Sequence, residues 1–448
     1  MKISIAGTGY VGLVTAVCLS EVGHLVTCID KDETKISLLD NCISPIYEPS
    51  LRELIIKNRH LLTFTTDARS AYEDADVIFI CVGTPEKKDG SANLEYVYTI
   101  AKEISGIINK DCVIVVKSTV PIGTNDKVEK FIKENLKNNV TVDIVSNPEF
   151  LSQGTAVNDT LHASRIVLGV ESRQAESVLR QVFDGFALPY VITDRRSAEM
   201  IKYASNDFLA LKISYINEIA NLCEIVGANI EDVTFGMGLD QRIGKKFLMP
   251  GIGYGGSCFP KDTKALHWLA NYHDYELKTI KAAIEVNENQ KFKLIKKARK
   301  YFKSFDGINI AVLGLTFKPG TDDLREAPSL QIIPLLMEDG ANIRAWDPIG
   351  IDNFKKLYPE NITYCESIEK ALKDADLCLI FTEWPEIKKL DIRKYAYLMR
   401  RPLVIDGRNC YKLEAVLETG ITYESIGRRI ITGTKAEVNE VRKYAVIV

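Results

Sequence analysis

The amino-acid sequence predicts an α/β protein with two Rossmann-like doubly wound domains joined by a long helical connector. Three observations support this prediction: a strand, glycine turn, helix and strand near the N-terminus, the same order of elements after residue 304, and helical periodicity between them. The length of 448 residues fits roughly three folding units. We expect an N-terminal domain over residues 1–195, a helical middle domain over 196–303 and a C-terminal domain over 304–448.

Two stretches of the sequence share one order of elements: an apolar strand, a turn with glycines, a helix and a second strand that ends in aspartate. The first has a strand at residues 2–6, a turn at 7–12, a helix to about residue 22 and a strand at 25–30. The second has a strand at 308–313, a turn at 314–320, a helix from Pro328 and a strand at 342–347. In each copy an Asp-Ala-Asp triplet then precedes another apolar strand, at 77–82 and 377–381. Strands that alternate with helices predict parallel sheets.

Helical periodicity dominates the sequence between the two copies. Residues 197–226 and 262–302 are rich in strong helix formers and carry few strand signals. We expect these helices to present an apolar stripe that a second copy of the chain buries, which predicts a homodimer; the alternative is that the stripe packs within one subunit. Lysines recur between residues 291 and 303 at helical spacing, and we expect them to form a solvated helix face.

Composition excludes several classes of protein. A net charge of -3 gives no long-range field for nucleic acid, and no apolar segment reaches membrane-spanning length. The ten cysteines include no CxxC pair and the five histidines no HxxxH spacing, so we expect no metal site. Reduced thiols and an N-terminus without a leader sequence predict a cytoplasmic protein.

The first glycine turn has the form expected of a dinucleotide site. Gly7 permits a tight turn, Gly9 lets the backbone approach a pyrophosphate, and Gly12 lets the helix pack closely on the strand. Asp30 follows Gly12 by 18 residues, where a carboxylate accepts hydrogen bonds from the adenosine ribose and repels a 2′-phosphate. The sequence therefore favours NAD over NADP, and a glycine turn that binds nothing is the weaker alternative.

Other turns also follow apolar strands. One holds Gly83, Thr84 and Pro85, and another holds Thr119, at the strand ends where open α/β sheets bind ligands. The second copy lacks the glycine fingerprint, because bulky residues and Lys318 occupy its turn, so we expect it to bind something other than a second NAD. Lys318 and Arg325 are cations suited to phosphate; a solvated surface pair is the alternative.

The segment over residues 251–262 is the most informative stretch. Four of its first six residues are glycine, which frees the backbone to wrap closely around a substrate. Cys258 follows, just before a helix expected to begin near Asp262. The potential of a helix N-terminus and nearby Lys261 both stabilise a thiolate, which is the nucleophilic form of cysteine. For the other nine cysteines, buried packing is the better interpretation.

These residues together resemble the UDP-glucose/GDP-mannose dehydrogenase family over nearly the whole chain. The motifs that carry the resemblance are GTGYVG at residues 7–12, VGTP at 82–85, STVP at 118–121, NPEFL at 147–151, KYASN at 202–206, the Cys258 loop, and FKPGTDDLR at 317–325. The resemblance implies that the chain oxidises the C6 alcohol of a nucleotide sugar to a carboxylate, consuming two NAD and one water, in an active site between the two Rossmann-like domains.

The resemblance also assigns catalytic roles. Cys258 would add to the C6 aldehyde as a thiohemiacetal, which is oxidised to a thioester and hydrolysed. Lys202 and Asn206 would stabilise developing oxyanions, and their spacing of four residues independently places them on one helix face. The residues implied to move protons or to order the hydrolytic water are Glu149, Thr119 and Asp262.

The residue pattern and the resemblance together assign the binding residues. For the cofactor these are Gly7, Gly9, Tyr10, Val11, Gly12, Asp30, Lys35, Gly83, Thr84, Pro85, Thr119, Gln153, Lys261 and Arg325. For the UDP-sugar they are Glu149, Phe150, Leu151, Ser152, Gln153, Lys202, Asn206, Phe247, Leu248, Met249, Pro250, Gly251, Gly255, Lys318 and Arg408, with Arg242 from a neighbouring subunit. One position departs from the family: Gln153 stands where members acting on UDP-glucose usually carry Glu, so a proton-transfer role there is in doubt.

Three alternative functions remain open at this stage. The Cys258 loop and residues 317–325 look most like the UDP-glucose branch, which makes UDP-glucuronate, but a sibling acting on GDP-mannose or a UDP-N-acetylhexosamine shares the same chemistry. A two-electron hydroxyacid dehydrogenase needs no nucleophilic cysteine. A non-catalytic NAD-binding scaffold would leave Lys202, Asn206 and Cys258 without a purpose.

Overall fold

The computed structural model describes residues 1–432 and contains two sheets flanked by helices. The chain divides into two units, the first made of Met1–Ser205 with Lys264–Tyr275 and the second of Asn206–Thr263 with residues 276–432. The predicted fold class, two doubly wound α/β regions with a helical region between them in sequence, is confirmed. The boundaries of the three expected domains stay a prediction.

The sheet of the first unit has eight strands within the described residues. They are β1 Lys2–Ala6, β2 Leu25–Ile29, β3 Leu62–Thr65, β4 Val77–Ile80, β5 Cys112–Val116, β6 Val142–Ser146, β7 Ile166–Gly169 and β8 Tyr190–Thr193. Their order across the sheet is β3-β2-β1-β4-β5-β6-β7-β8. Ile3 of the central strand β1 pairs with Val26 on one side and with Val77 on the other, both in parallel register.

Helices connect these strands along the sequence. They are α1 Tyr10–Glu21, α2 Glu33–Asp40, α3 Leu51–Lys57, α4 Ala68–Tyr72, α5 Glu95–Ile107, α6 Thr124–Asn135, α7 Ala156–Leu161 and α8 Arg173–Phe183, with short 3-10 turns at Arg59–Leu61 and Asp184–Phe186. Side chains of β4 alternate between the two apolar layers: Val77 and Phe79 pack with α1 on one face, Ile78 and Ile80 with α5 and α6 on the other. Apolar layers on both faces explain why β4 is uninterrupted by polar residues.

One strand pairing departs from the expectation of parallel sheets. β7 pairs antiparallel with β6, through Ser146 and Gly169. The connection between them contains only α7, a helix of six residues. A parallel crossover normally needs a longer helix to bring the chain back to the end of the sheet at which β6 starts. With this short connection, β7 starts at the end where β6 finishes and runs in the opposite direction.

The helical region begins with α9 Arg195–Val226, a single helix of 32 residues. It continues through α10 Ile230–Leu239, α11 Phe259–Tyr272, α12 Lys278–Lys291 and α13 Lys293–Ala298. The helices predicted over residues 197–226 and 262–302 are thus confirmed, although the second range is divided into three helices. The first of these starts at Phe259, before the expected start near Asp262.

The expected solvated lysine face is wrong at two positions. Lys291 and Lys297 are both buried. The Lys291 ammonium lies 2.8 Å from a carboxylate oxygen of Glu326. The Lys297 ammonium lies 2.9 Å from Glu224 and 3.0 Å from Glu424. These carboxylates lie on α9, on the strand at Thr422–Glu424 and on a loop, and the helical spacing of residues 291–303 alone does not predict them.

The sheet of the second unit repeats the strand order of the first. Its strands are β9 Asn309–Leu313, β10 Asn342–Trp346, β11 Ile362–Tyr364, β12 Leu377–Ile380, β13 Leu403–Asp406 and β14 Thr422–Glu424. Its order is β11-β10-β9-β12-β13-β14, with every strand pairing parallel among the described residues. The associated helices are α14 Pro328–Glu338, α15 Ile351–Leu357, α16 Ile368–Leu372, α17 Pro385–Lys388, α18 Arg393–Leu398 and α19 Leu413–Val416. Helix α14 starts at Pro328 as predicted, with the proline in its first turn.

Two classes of feature are absent over residues 1–432. No helix there combines the length and the apolar character needed to cross a membrane. In the same range, no group of three or more His, Cys, Asp and Glu side chains is arranged to hold a metal ion.

Candidate active site

The turn after β1 has the geometry that close helix packing requires. Gly7 has φ +99°, and a Cβ there would lie 3.0 Å from the carbonyl oxygen of Cys81. A Cβ on Gly12 would lie only 1.9 Å from the carbonyl oxygen of Gly7. A Cβ on Gly9, in contrast, would meet no atom within 4 Å. Two glycines are therefore needed for packing, while the third leaves open space at the N-terminus of α1, where a pyrophosphate fits.

Asp30 lies directly after β2 and is bound to this turn. Its Oδ2 accepts hydrogen bonds from the Thr8 amide at 2.9 Å and the Thr8 hydroxyl at 2.7 Å, and the Lys35 ammonium lies 3.7 Å away. Its Oδ1 accepts one from the Asp32 amide. Burial opposes ionisation, but these hydrogen bonds and the Lys35 charge outweigh it and lower the pKa of Asp30. An anionic carboxylate therefore lies where a ribose hydroxyl would donate.

The neighbouring strands β1, β4, β5 and β6 end at the same edge of the first sheet. The turn of Gly83 and Pro85 follows β4, and the hydroxyl of Thr84 within it donates to the carbonyl oxygen of Thr119 at 2.8 Å. The Ser118 hydroxyl donates to the Val82 carbonyl oxygen at 2.6 Å. The turns after β4 and β5 are thus held together at the edge of the sheet.

Glu149 and Lys202 form a buried ion pair in the first unit. The Lys202 ammonium donates to Glu149 Oε1 at 2.9 Å, and the two side chains are 3% and 6% exposed. Glu149 Oε2 accepts the Leu151 amide at 2.8 Å. The ring of Phe150 lies under two cations, with Lys202 Nζ 5.4 Å and the Arg165 guanidinium 4.0 Å from its centroid. This loop continues into Ser152, whose amide donates to an Asp159 carboxylate, and then into Gln153.

A second buried lysine near this pair escaped the sequence analysis. Lys117 follows β5, and its ammonium donates to Asn147 Oδ1 at 3.0 Å. Burial lowers the pKa of Lys117, and the negative charge of Glu149 partly opposes this effect while Lys202 reinforces it. The available signal was a lysine directly after the apolar run of residues 112–116, an unusual place for a charge unless it has partners.

Cys258 lies at the start of α11 in the second unit. Its carbonyl oxygen accepts the Asp262 amide at 2.8 Å, the first helical hydrogen bond, and its sulfur is 3.7 Å from the Ser257 hydroxyl. The pKa of Arg325 is raised, mainly by its hydrogen bond to Asp323. Burial alone would lower this pKa, and electrostatic interactions with Asp323 and Cys258 raise it further. The Arg325 guanidinium therefore lies within electrostatic range of the sulfur, a cation that the sequence analysis assigned to the cofactor instead.

Asp262 lies under the same helix turn with two partners. The Asn206 side-chain amide donates to its Oδ2 at 2.7 Å, and the Lys261 ammonium pairs with its Oδ1. Lys261, expected to stabilise the thiolate of Cys258, thus contacts the neighbouring carboxylate. Asp262 itself is fully buried. The pairing of Asn206 with Asp262 joins α9 to α11 within the second unit.

Asp207 was also missed. It is 2% exposed, and neither of its carboxyl oxygens has a hydrogen-bond partner. Burial, reinforced by the negative charge of Asp262, raises the pKa of Asp207 to about 8. A charged residue in an otherwise apolar turn of α9, directly after Asn206, was the signal in the sequence.

The glycines before Cys258 pack against protein groups. A Cβ on Gly255 would lie 2.5 Å from the Glu326 carbonyl oxygen, and one on Gly256 would lie 2.7 Å from the Phe317 ring. The Arg408 guanidinium donates to the carbonyl oxygens of Gly253 at 3.1 Å and Phe317 at 3.3 Å. The sequence predicted that these glycines let the backbone wrap around a substrate; in the structure they let the loop pack on the turn after β9.

The remaining residues predicted to bind the substrate lie beside α10, in the glycine loop and on the turn after β9. The Gly251 amide donates to Asn217 Oδ1 at 2.8 Å. Arg242 is 89% exposed at its side chain and pairs with Asp240. Lys318 Nζ lies 5.6 Å from the Phe317 ring centroid. Before Gly251, Leu248 is buried, Pro250 is half-buried, and Phe247 and Met249 are exposed.

The structure therefore gathers the predicted residues into two groups, one in each unit. The first unit holds Gly7, Gly9, Tyr10, Val11, Gly12, Asp30, Lys35, Gly83, Thr84, Pro85, Thr119, Glu149, Phe150, Leu151, Ser152, Gln153 and Lys202. The second unit holds Asn206, Arg242, Phe247, Leu248, Met249, Pro250, Gly251, Gly255, Cys258, Lys261, Asp262, Lys318, Arg325 and Arg408.

Three family domains match this chain in sequence order. Residues 1–187 match the NAD binding domain of the UDP-glucose/GDP-mannose dehydrogenase family, residues 196–289 its central domain, and residues 311–413 its UDP binding domain. The chain belongs to the UDP-glucose/GDP-mannose dehydrogenase family. The resemblance stated from the motifs is confirmed, and NAD is the cofactor of the first domain. The match to a UDP binding domain agrees with the expectation that the second copy binds something other than NAD.

Individual members of the family are similar over nearly their whole length. The UDP-glucose 6-dehydrogenase YwqF of Bacillus subtilis is 50% identical over 438 residues, covering 97% of this chain and 100% of that protein. A solved UDP-glucose dehydrogenase from Pyrobaculum islandicum is 35% identical with a TM-score of 0.89, covering 96% of this chain and 98% of its own. A UDP-D-ManNAc dehydrogenase from Pyrococcus horikoshii is 26% identical with a TM-score of 0.83, covering 96% and 99%.

Proposed function

We propose that this chain is a UDP-glucose 6-dehydrogenase, which oxidises the C6 alcohol of UDP-glucose to the carboxylate of UDP-glucuronate. One sugar, two NAD and one water give one uronate, two NADH and three protons. The observation that carries the proposal is Cys258, which starts helix α11 one turn before an Asp262 held by Asn206, in a chain of this family. We assign NAD to a domain over residues 1–195, the chemistry of the thiol to residues 196–303, and the UDP-sugar to residues 304–448.

The first oxidation needs a base for the alcohol proton and a group that stabilises the alkoxide. Bound NAD supplies the chemistry of both oxidations by accepting one hydride from C6 each time. We assign the alkoxide to Lys202, whose ammonium is held by Glu149 at 2.9 Å, and to the Asn206 amide. Thr119, Glu149 and Asp262 are assigned to proton movement. The burial of Glu149, Lys202 and Asp262 supports these roles, because charged groups excluded from water act more strongly on developing charge.

The second oxidation needs a covalent intermediate. The Cys258 thiolate forms a C–S bond to the aldehyde carbon, and the oxygen takes a proton to give a thiohemiacetal. Loss of a hydride and of that proton leaves a thioester. Water then attacks the thioester carbon, the C–S bond breaks, and the thiolate leaves with the carboxylate as product. The position at a helix N-terminus and the nearby Arg325 charge support the anionic sulfur.

The sugar is assigned from the relatives, and one position bears on it. Gln153 is an amide where the UDP-glucose branch usually has Glu, so we assign it hydrogen bonding only. The UDP-D-ManNAc dehydrogenase has the same fold with lower identity than the UDP-glucose dehydrogenase, 26% against 35%. A related nucleotide sugar is therefore the second candidate substrate.

We further propose that the chain forms a homodimer through α9 and α10. Phe208, Tyr215 and Leu222 recur every seven residues along α9, on one helix face, and are 60%, 48% and 52% exposed. On α10, Phe235 and Leu239 are 62% and 59% exposed. Large exposed apolar side chains on these two helices are typical of a protein interface, and we assign a second copy of the chain as the occupant. The dimer would bring Arg242 to the UDP-sugar of the partner.

A cytoplasmic location is proposed on the chemistry of the thiols. The nine cysteines other than Cys258 are free thiols in the structure, which suits a reducing compartment.

The proposed function is tested by counting NADH produced per sugar consumed, for UDP-glucose, GDP-mannose and UDP-ManNAc in parallel. We expect two NADH per UDP-glucose and the highest kcat/KM for this sugar. One NADH per sugar would contradict the four-electron reaction. A higher kcat/KM for UDP-ManNAc would replace the substrate and keep the reaction class.

A further inference from the structure

Glu48 lies between α2 and α3, outside every motif assigned to the reaction, and its carboxylate is buried. Its Oε2 accepts hydrogen bonds from the Tyr10 hydroxyl and, at 2.7 Å, from the Gly154 amide. Its Oε1 accepts the Ala156 amide at 2.6 Å. The Tyr10 hydroxyl in turn accepts the Gly154 amide at 2.9 Å. One carboxylate thus joins two chain segments that are about 140 residues apart in sequence.

In the proposed function, one of the two segments joined by Glu48 contacts NAD, and the other ends the sugar loop, whose last residue Gln153 is also assigned to the cofactor. Tyr10 is the first residue of α1, directly after the glycine turn assigned to the NAD pyrophosphate. Gly154 directly follows Gln153, the last residue of the loop assigned to the sugar, and Ala156 starts α7. Helix α7 has no side-chain cap of its own, so the Glu48 carboxylate satisfies an amide at its N-terminus from outside.

We propose that Glu48 is a positioning residue that couples the binding of NAD to the binding of the sugar; this inference rests on the proposed function. A ligand on the glycine turn fixes the first residue of α1 and with it the Tyr10 hydroxyl. The shared carboxylate then fixes the amides of Gly154 and Ala156, and with them the end of the sugar loop. A buried amide or hydroxyl that loses its acceptor is destabilising, so the two segments change conformation together. Coupling of this kind is reciprocal: each ligand raises the affinity for the other by the same factor.

The test uses a ternary complex that cannot react, formed by NADH and UDP-glucose. NADH fluorescence gives its Kd with and without saturating UDP-glucose, and the ratio of the two values is the coupling factor. We expect the unaltered protein to show a factor of about five or more. In Glu48→Gln the amide NH2 opposes donors, so the Kd of NADH measured with UDP-glucose should rise until it approaches the Kd measured without it, and the factor should fall to within about twofold of one.

Two further variants keep the inference falsifiable. Tyr10→Phe removes one hydroxyl and leaves the carboxylate on α7, so it should fold even where Glu48→Gln does not, and it should at least halve the coupling factor. Glu21→Gln is the matched control: this carboxylate accepts from Lys57 and from Asn58 at 2.8 Å in the same unit, at the opposite end of α1 from Tyr10. It should lower the melting temperature and leave the coupling factor unchanged.

The possible outcomes separate the inference from the proposed function. Unaltered protein that binds NADH and UDP-glucose with a factor of one would overturn the coupling, as would an unchanged factor in Glu48→Gln or, where that variant is unfolded, in Tyr10→Phe. Failure of the unaltered protein to bind UDP-glucose at all would instead overturn the proposed substrate.

Discussion

Asp30 and Asp347 hold the same position in the two sheets, directly after the second strand of each strand order. Asp30 accepts hydrogen bonds from Thr8 and Asp32, and the turn above it has open space at Gly9. Asp347 is buried among donors from its own unit: the amides of Leu315, Thr316, Ile349 and Gly350, the Thr316 hydroxyl, and the Trp384 indole N–H at 3.0 Å. Asp347 therefore holds the backbone, because its internal donors leave no lone pair for a ribose, whereas Asp30 has fewer internal donors and keeps a lone pair for the ribose that we propose it binds.

Asp207 extends this comparison to a carboxyl group with no donors. It lies beside Asp262 in the second unit, and both of its oxygens lack a hydrogen-bond partner. A buried carboxyl in such surroundings is held neutral, whereas the donors of Asp30 hold it anionic. The state of each acid is thus set by what surrounds it, and the predictions below change those surroundings or the groups that depend on them.

The largest effect is expected at Cys258. Its substitution tests whether NAD binding, proposed for the first unit, is independent of the thiol chemistry proposed for the second unit. Cys258→Ala should lower kcat for uronate on the order of a thousandfold or more, while NAD still binds. Steady-state NADH production measures kcat, and titration with NAD measures its binding. Cys42→Ala, at another half-buried cysteine, is the control and should keep its activity. Two NADH per sugar at near-normal rate in Cys258→Ala would rule out the covalent intermediate.

Substituting the paired aspartates tests the comparison directly. Asp30→Ala should reduce the preference for NAD over NADP by about tenfold or more, because both the ribose acceptor and the repulsion of a 2′-phosphate are lost. Asp347→Ala should leave cofactor preference unchanged and lower the free energy of unfolding by about 3 kcal/mol, since several buried donors lose their acceptor. The ratio of kcat/KM for NAD and NADP measures cofactor preference, and denaturant unfolding measures the free energy of unfolding. A changed cofactor preference in Asp347→Ala would remove the distinction between the halves.

Asp207→Asn should change how stability depends on pH. The pKa of Asp207 is raised from an ordinary 3.8 to about 8 in the folded chain, so between these values the folded state binds the extra proton. The free energy of unfolding of the unaltered protein should therefore fall as pH rises from about 4 to 8, by at most about 1.4 kcal/mol per pH unit from this group. Asp207→Asn removes that contribution, so its stability relative to the unaltered protein should improve with rising pH. Parallel unfolding curves at pH 5 and pH 8 would contradict a neutral Asp207.

The smallest effect is expected at Arg242, which tests whether the second unit is completed by a partner subunit. Arg242→Ala should raise the Kd for UDP-glucose by roughly tenfold at most, through loss of one charged hydrogen bond, and should leave NAD affinity unchanged. Arg393 is a close control, because its exposed guanidinium pairs with Asp391 two residues earlier just as Arg242 pairs with Asp240. Calorimetric titration with UDP-glucose, at protein concentrations above and below the dissociation constant of the dimer, compares the Kd values of the variants. Full affinity in isolated monomers would contradict a contribution from the partner.

The strands, the glycine turn and the start of α14 could be predicted closely because their causes are local. Gly7, Gly12 and Asp30 act within one strand, turn, helix and strand, and the bounds of β1 match the predicted residues 2–6. The alternation of strands and helices predicted parallel sheets, and the structure shows that the six strands of the second sheet repeat the order of the first six strands of the first sheet. The antiparallel direction of β7 was not predicted, because it depends on the position in which the short connection through α7 places the start of that strand.

The sequence by itself determined the family and the cofactor and predicted which residues carry the chemistry, because short motifs record the backbone and side-chain types that these functions require. Only the tertiary structure decided the environment of each charge. Their helical spacing predicted that Lys291 and Lys297 are solvated. In the structure they are buried, because carboxylates distant in sequence pair with them. Asp207 is neutral and Asp347 is fully bonded for the same reason: the free energy of a charge depends on the donors, charges and water around it, and those neighbours are assembled only when the chain folds.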